Sequence, residues 1–306
     1  MGKIIVIGSS NTDMIIHSEH LPAPGETVLG GEFFMAGGGK GANQAVAVAR
    51  LGASTVFVCK VGDDVFGREA LARYDKDHID ICYSIVSKEH ASGVALIMVD
   101  KKAENCISVA GGANNALMPE DLDNVLATLH PDDIVLLQLE IPIQTVCYAI
   151  DKASSIGARV ILNPAPAASV PQAQLAKLYM ITPNETEASL LTGISLSEAD
   201  FVSKAMHRLH QMGVCNVLMT LGGNGSALLN EQGELTYYAA EKVKAVDTTA
   251  AGDTFNGALC VALIEGKSLA ESIRFASHAA ALSVTRMGAQ TSIPSRKEVD
   301  EFLINK

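Results

Sequence analysis

The stretch IVLLQLEIPIQTVCYAIDKASSIGARVIL, residues 134–162, reads as a strand, a helix and a second strand in succession. Residues 134–139 and 159–162 are short runs of branched aliphatic residues, which are typical of strands buried on both faces. The segment between them, 143–156, is predicted to be a helix. The same alternation continues on both sides, with strands predicted at 3–7, 55–61, 179–182 and 216–220 and helices at 42–51, 119–129, 185–191 and 196–212. This order predicts an α/β fold, a doubly wound, mostly parallel sheet sandwiched by helices.

Two stretches, 14–34 and 81–109, break the alternation. In the second stretch, short apolar runs at 85–86, 94–99 and 106–109 are predicted to be strands without helices between them. Extra strands outside the main sheet predict a small second β-layer that could act as a lid. With no repeat or linker in the sequence, we expect a single domain spanning residues 1–306.

Composition narrows the class of protein. The chain has 306 residues, 48% of them hydrophobic, which is enough for one large core. Its net charge of −11 gives no indication of a general affinity for nucleic acid or for an anionic membrane, and no apolar stretch is long enough to span a bilayer. The six cysteines are scattered, and five lie in or beside apolar runs, so buried free thiols and a cytoplasmic location are expected.

The segment DTTAAGD, residues 247–253, immediately precedes a predicted amphipathic helix. Its small residues Ala250, Ala251 and Gly252 would let an anion approach the free N–H groups and the positive dipole end of that helix. A carboxylate at Asp253 could then accept the proton of an attacking hydroxyl. The alternative is that Asp253 is only a helix-capping residue.

A second glycine-rich segment, MAGGGKGANQ at residues 35–44, also enters a predicted helix. It is not a P-loop, because the spacing fails and Gly41 stands where Ser or Thr should follow the lysine. Its cation Lys40 and its amide Asn43 suit a polyhydroxyl ligand or a nearby phosphate. The alternative is a tight turn between a strand and a helix.

Polar groups also follow other predicted strands. Asn11 and Asp13 come after the first strand, and Glu140 follows 134–139. Open α/β sheets bind ligands at the carboxyl ends of their strands, where these groups could clamp adjacent sugar hydroxyls. A solvated loop acid is the alternative for each one.

The segments TPNETE, 182–187, and TLGGNG, 220–225, occupy equivalent positions after two later strands. Asn184 and Glu187 lie three apart at a helix start, so both could face a metal-bound phosphate. Thr220 and the glycines after it could wrap nucleotide phosphates through backbone contacts. Either segment could instead be an ordinary strand-to-helix turn.

The segments GGKGANQA (38–45) and DTTAAGDTFNGA (247–258) together resemble the two signature segments of the ribokinase (PfkB-type) family of carbohydrate and nucleoside kinases. Their order and separation fit, and the similarity covers nearly the whole chain. Asn11 with Asp13, the Gly-Gly-Lys-Gly-Ala-Asn run and Gln138-Leu139-Glu140 match the sugar-contacting pattern of the members that act on ribose. The resemblance implies ATP-dependent phosphorylation of D-ribose at O5. Deoxyribose, fructose or a nucleoside is the alternative acceptor, and a non-catalytic sugar sensor is a further alternative.

The resemblance also implies roles for individual residues. Asp253 would be the base, with an anion hole formed by Ala250, Ala251 and Gly252. Ribose would be held, together with Asp253, by Asn11, Asp13, Gly39, Lys40, Gly41, Ala42, Asn43 and Glu140. ATP would contact Gly252, Asp253 and a further set: Asn184, Thr220, Leu221, Gly222, Gly223, Asn224, Gly225 and, at the adenine, Ser277 or His278.

The metal ions and the assembly are implied in the same way. Glu187 would orient Mg²⁺ through water. A monovalent cation, K⁺, would be bound by Asp247, Thr249, Ser283, Arg286, Gly288 and Ser292, several of them through backbone carbonyls. The small sheet would form both a lid and the contact of a homodimer.

Overall fold

The computed structural model describes residues 2–102 and 104–304. Met1, Ala103, Asn305 and Lys306, which the predicted domain includes, lie outside the described residues. In chain order the strands are β1 (Ile4–Ile7), β2 (Asn11–His17), β3 (Glu32–Gly38), β4 (Thr55–Val58), β5 (Lys60–Gly62), β6 (Ile85–Ser87), β7 (Gly93–Val99), β8 (Asn105–Ala110), β9 (Ile134–Leu137), β10 (Arg159–Leu162), β11 (Met180–Ile181), β12 (Asn216–Thr220), β13 (Ser226–Leu229) and β14 (Leu235–Tyr238). The helices are α1 (Lys40–Arg50), α2 (Val65–Lys76), α3 (Asp123–Leu126), α4 (Ile143–Ile156), α5 (Gln172–Leu175), α6 (Glu185–Thr192), α7 (Phe201–Gln211), α8 (Ala251–Ile264), α9 (Leu269–Ser283) and α10 (Arg296–Ile304).

The central sheet has eight strands in the order β14-β13-β12-β11-β10-β9-β1-β4. The six strands from β12 to β4 are parallel, with Ile4 opposite both Thr55 and Ile134. The strands β13 and β14 form an antiparallel hairpin at one edge. The predicted doubly wound, mostly parallel sheet is therefore confirmed, with an antiparallel edge that the sequence pattern did not indicate.

Helices cover both faces of this sheet. Alternate residues of each buried strand point to opposite faces, so Ile4 and Val6 pack with residues of α1, α8 and α9, while Ile5 and Ile7 pack with residues of α4 and α7. Because both faces are covered, the central strands need apolar side chains at every position. This is why they read as continuous aliphatic runs.

A second sheet has four strands in the order β3-β2-β7-β8. It confirms the prediction of a small separate β-layer, and it draws strands from both stretches that break the alternation. Its strand β2 begins at Asn11, so Asn11 and Asp13 lie in this sheet and not in a loop after β1. The strand β6 lies outside it and pairs with β5 in a two-stranded sheet. That the four-stranded sheet acts as a lid remains a prediction.

Several local elements differ from their predicted form. The helix predicted from residue 196 begins at Phe201, after Asp200 in a left-handed conformation. Residues 220–225 form a hairpin connection between β12 and β13, with a 3-10 turn at Gly222–Asn224, and do not lead into a helix.

All six cysteines are free, but Cys82 and Cys106 are exposed, so the prediction of buried thiols is wrong for these two. None of the helices in the described ranges combines the length and the apolar character needed to cross a membrane.

Candidate active site

Asp253 lies where the amino ends of α1 and α8 meet the carboxyl ends of the central strands. It occupies the first turn of α8 and is only 6% exposed. The two oxygens of its carboxylate accept hydrogen bonds from neighbouring residues of α1: Asn43 Nδ2 donates to Oδ2 at 3.0 Å, and Gln44 Nε2 donates to Oδ1 at 2.9 Å. The carboxylate is thus oriented by two amide donors, one on each oxygen.

The backbone before Asp253 presents free N–H groups. Ala250 adopts a left-handed conformation with φ of 59°, from which α8 starts at Ala251. The Ala251 N–H donates to the carbonyl of Thr248, whereas the N–H groups of Gly252 and Asp253 meet no acceptor within the described residues. A Cβ on Gly252 would meet no atom of the described residues within 4 Å, so the space beside this glycine is open. With the helix dipole, this arrangement can bind an anionic group.

Two further carboxylates lie close to Asp253. Glu140 Oε2 accepts hydrogen bonds from Ser9 Oγ at 2.5 Å and from the Lys40 backbone N–H at 2.9 Å. Asp13 lies against Gly38, where a Cβ would come within 2.2 Å of its oxygens. Burial, followed by repulsion from Glu140 and Asp253, raises the pKa of Asp13 to about 6. These three acids therefore form one electrostatically coupled group.

Lys40 supplies the positive charge for this group. Burial alone would lower its pKa, but the negative charges of Asp253, Glu140 and Glu187 outweigh burial and raise it. The ammonium group is therefore charged at neutral pH. Lys40 therefore interacts electrostatically with acids of both the predicted sugar site and the predicted metal site.

The remaining predicted sugar residues cluster around the start of α1. Gly39 has φ of 89°, and a Cβ there would come within 2.9 Å of the Asn11 backbone nitrogen. Gly41 packs equally closely on the backbone of Gly8, and Ala42 is fully buried. Asn11 Oδ1 accepts a hydrogen bond at 2.7 Å from Asn114 Nδ2, a residue that the sequence did not single out.

On the predicted nucleotide side, Asn184 and Glu187 form a capping box at the start of α6. Asn184 Oδ1 accepts from the Glu187 N–H at 2.8 Å, and Glu187 Oε2 accepts from the Asn184 N–H at 2.9 Å. Burial raises the pKa of Glu187. Thr220 pairs with Asn184 in an isolated parallel β-bridge. It also begins the predicted phosphate loop, in which Gly223 is exposed and Leu221 is buried.

The two adenine-pocket candidates on α9 make different contacts. Ser277 Oγ donates to the Ile273 carbonyl of its own helix at 2.8 Å. His278 Nε2 lies 2.9 Å from Glu241 Oε1. These contacts do not single out either residue as the adenine contact.

Asp247 joins the two segments of the predicted monovalent-cation site. Its Oδ1 accepts from the N–H and hydroxyl of Thr249, and its Oδ2 accepts from the Gly288 N–H at 2.8 Å. Burial alone would raise the pKa of Asp247, but these hydrogen bonds outweigh it and lower the pKa. Ser283 and Ser292 are buried, and each hydroxyl donates to a carbonyl three residues earlier. Within the described ranges, no group of three or more His, Cys, Asp or Glu side chains could hold a metal ion.

Several buried polar residues around the site were given no individual role from the sequence, although some of them lie in the segments singled out there. Besides Gln44 and Asn114, they are Gln138, Asn163, Thr182 and Asn256. Gln138, Asn163 and Thr182 directly follow β9, β10 and β11. Their position at strand ends is the same signal that identified Glu140.

The chain is similar to known proteins in both sequence and structure. A family model described as pfkB family carbohydrate kinase matches residues 1–296. A ribokinase from Haemophilus influenzae is 42% identical over 300 residues, covering 98% of each chain, and a deoxyribokinase from Salmonella typhi is 36% identical over 301 residues with the same coverage. The structure of Arabidopsis thaliana ribokinase complexed with ribose and ATP matches with a TM-score of 0.90 at 36% identity, covering 99% of each chain.

Proposed function

Because the chain belongs to the pfkB family of carbohydrate kinases, we propose that it transfers the γ-phosphoryl group of ATP to the 5-hydroxyl of D-ribose. The observation that carries the proposal is the position of Asp253, a buried carboxylate held by two amides beside the free N–H groups at the start of α8. The ribokinase from Haemophilus influenzae and the Arabidopsis thaliana ribokinase complexed with ribose and ATP support ribose and ATP as substrates.

In this proposal Asp253 removes the proton of the ribose 5-hydroxyl as the oxygen attacks phosphorus. Among the described residues, one amide donates to each Asp253 oxygen, which leaves each oxygen a lone pair for that proton. The N–H groups of Gly252 and Asp253 then stabilise the negative charge on the transferred group, and Lys40 adds a positive charge nearby. Asn11, Asp13, Asn43 and Glu140, with the backbone around Gly39, Gly41 and Ala42, would orient the sugar.

For the nucleotide we propose contacts with Asn184 and with Thr220, Leu221, Gly222, Gly223, Asn224 and Gly225. The open surface at Gly223 and the left-handed φ of Gly222 support a close approach of phosphate to this backbone. Ser277 or His278 would contact the adenine.

The donor groups also fit the two metal ions. Mg²⁺ commonly keeps several waters and uses one or two carboxylates with substrate phosphates. Glu187, whose oxygens accept hydrogen bonds from Asn184, fits a contact through water. When bound, Mg²⁺ would neutralise charge on the phosphates.

A K⁺ ion would lie between the segments that Asp247 joins. No described residue donates a hydrogen bond to the carbonyl oxygens of Thr249, Arg286 or Gly288, so these oxygens remain able to bind a cation. Ser283 and Ser292 would complete the site. Because Thr249 directly precedes Ala250, an ion bound here would stabilise the start of α8.

We further propose a homodimer formed through the four-stranded sheet, in a cytoplasmic protein. The strand register places Ile16, Phe33, Met35 and Leu96 on one face, where they are 42–58% exposed. Such an apolar face is typical of a surface covered by a partner. Light scattering would test the dimer, and a monomer would contradict it.

The six free thiols support the cytoplasmic location, because free thiols are typical of proteins in a reducing compartment.

A panel of sugars and nucleosides with ATP tests the main proposal. We expect ribose to give the highest kcat/KM. Deoxyribose is the second candidate, because the Salmonella typhi deoxyribokinase covers the chain at 36% identity. Asp253→Asn should lower kcat by about 10²–10⁴-fold while retaining ribose binding. Asp133→Asn, which changes a buried aspartate at the opposite end of the sheet, is the matched control and should retain turnover.

A further inference from the structure

A continuous hydrogen-bonded set of five buried residues lies behind Asp253. We call this set the amide array; it consists of Gln138, Gln44, Asn163, Thr182 and Asn256, each no more than 7% exposed. Three members follow the adjacent strands β9, β10 and β11, one lies on α1 and one on α8. The array therefore joins the central sheet to both helices that form the candidate site.

The direction of each hydrogen bond in the first half of the array is fixed. Gln138 Nε2 donates to Gln44 Oε1 at 2.6 Å. The amide nitrogen of Gln44 is thereby turned toward two acceptors, Asp253 Oδ1 at 2.9 Å and Asn163 Oδ1 at 3.0 Å. Both N–H groups of Gln44 are used, and one of them orients Asp253.

The second half of the array reaches the anion-binding backbone. Asn163 Nδ2 donates to the carbonyl of Thr182 at 3.1 Å, and Thr182 Oγ1 donates to Asn256 Oδ1 at 2.6 Å. Asn256 Nδ2 then donates to the Gly252 carbonyl at 2.8 Å. One connected set of contacts thus fixes both Asp253 and Gly252.

The amide array lowers the stability of the folded protein, which apolar residues at the same positions would not do. Gln138 Oε1 is buried without a partner among the described residues, and a Cβ on Gly8 would come within 2.1 Å of it. An unsatisfied buried oxygen destabilises a fold. The fold nevertheless leaves room at Gly8 for this glutamine, whose amide fixes the orientation of Gln44.

We propose that the amide array positions the reacting groups, with Gln44 holding the Asp253 carboxylate and Asn256 holding the Gly252 backbone. These residues act through Asp253 and Gly252 and do not touch the substrate. The inference rests on the proposed function, in which Asp253 is the base. Loss of Gln44 would leave the sugar contacts in place but would free one oxygen of the base to rotate away from the attacking hydroxyl.

The first test compares Gln44→Met and Asn163→Leu with a matched control, Asn216→Leu. Asn216 is a buried amide at the other end of the sheet, where its Nδ2 donates to the Tyr179 carbonyl as Asn163 donates to that of Thr182. We expect Gln44→Met and Asn163→Leu to lower kcat by about tenfold or more, because small misplacements of reacting groups are costly. The KM for ribose should change little. Asn216→Leu should lower the melting temperature but retain kcat.

The second test uses Gln44→Glu, which preserves the shape of the side chain and remains informative where Gln44→Met does not fold. A carboxylate at this position repels Asp253, whereas the protonated acid can again donate a hydrogen bond. Burial and the nearby negative charge favour protonation as the pH falls. The ratio of variant to wild-type kcat should therefore rise between pH 8 and pH 6, a change that a purely structural role would not produce.

Wild-type enzyme and Asp253→Asn are assayed in parallel, so that failure of the base assignment is separable from failure of the array. Retention of kcat by Asp253→Asn would remove the base itself. If Asp253→Asn loses turnover while Gln44→Met and Asn163→Leu keep kcat within about twofold of wild type, the array does not position the base. A pH-independent ratio for Gln44→Glu would overturn the proposal as well.

Discussion

Replacing Asp13 with asparagine should stabilise the ligand-free protein at neutral pH, although Asp13 belongs to the proposed sugar site. The carboxylate is partly buried on β2, and both Glu140 and Asp253 repel it. An amide of nearly the same shape removes the charge and keeps the packing against Gly38. Asp13→Asn should therefore remove an electrostatic cost that the folded state carries for function.

The magnitude follows from the pKa of Asp13, which rises from 3.8 to about 6 on folding. The folded state binds this proton more tightly than the unfolded state, so the stability contributed by Asp13 falls as the pH rises from 3.8 through about 6. At about 1.4 kcal/mol per pKa unit, the full cost above pH 7 is about 3 kcal/mol, and about half of it is present at pH 5. The introduced amide is itself buried, so we expect a net gain of about 1–3 kcal/mol at pH 7.5.

Urea unfolding at pH 7.5 and at pH 5 measures this effect for wild type, Asp13→Asn and a control. The control is Asp132→Asn, at an exposed aspartate, which should change the free energy of unfolding by less than about 0.5 kcal/mol at either pH. Asp13→Asn should be more stable than wild type at pH 7.5, by a margin that shrinks at pH 5, and should bind ribose more weakly. A variant that is no more stable than wild type at pH 7.5, or whose advantage is independent of pH, would refute the reasoning.

Three further predictions concern ligands. Hydroxyl groups that donate to Asp13 favour its charged form, so ribose binding should release about half a proton at pH 6 and almost none at pH 8. Calorimetry of ribose binding in two buffers of different ionisation enthalpy measures the number of protons released. Binding heats at pH 6 that do not depend on the buffer would contradict this prediction. Gly252→Ala adds a methyl group in open space, so the melting temperature should hold while kcat/KM for ATP falls by about tenfold or more; unchanged ATP kinetics would exclude an anion site there. Replacing a bulky organic cation with K⁺ should raise the rate of ribose phosphorylation, and Asp247→Ala should abolish the difference; equal wild-type rates in the two cations would count against a K⁺ site.

The sequence predicted those parts of the fold that leave a local pattern. The strands of the central sheet are buried on both faces, so β1, β9 and β10 appear as aliphatic runs that any reader of the sequence can find. The helix α2 was not predicted, because only Gly67, Ala70 and Tyr74 among its residues are buried and its apolar stripe is short. The β13–β14 hairpin was missed because its first strand follows a glycine-rich turn like those that precede helices.

The family was predicted from two segments near opposite ends of the chain, and it is confirmed. Individual roles within the site were less accessible, since they depend on which distant side chains meet. Gln44 lies in the glycine-rich segment 35–44 but was assigned no role. Its hydrogen-bond partners Gln138, Asn163 and Asp253 are 94, 119 and 209 residues away in the sequence. Asn11 and Asp13 were predicted to follow the first strand but not to begin a strand of the second sheet, because the turn of the chain into that sheet leaves no marker between β1 and β2.

The contact that brings Gln44 to Asp253 depends on how closely α1 and α8 approach each other. Gly257 lies one turn after Asp253 on the same face of α8. A Cβ at Gly257 would come within 2.6 Å of Ala47 Cβ and 3.0 Å of the Gln44 carbonyl oxygen, so any side chain there would hold the helices apart. Gly41 allows an equally close approach of α1 to the Gly8 backbone at the end of β1. Two glycines, Gly257 and Gly41, therefore permit the close packing that brings Gln44 to the base, and one lies in each of the two signature segments.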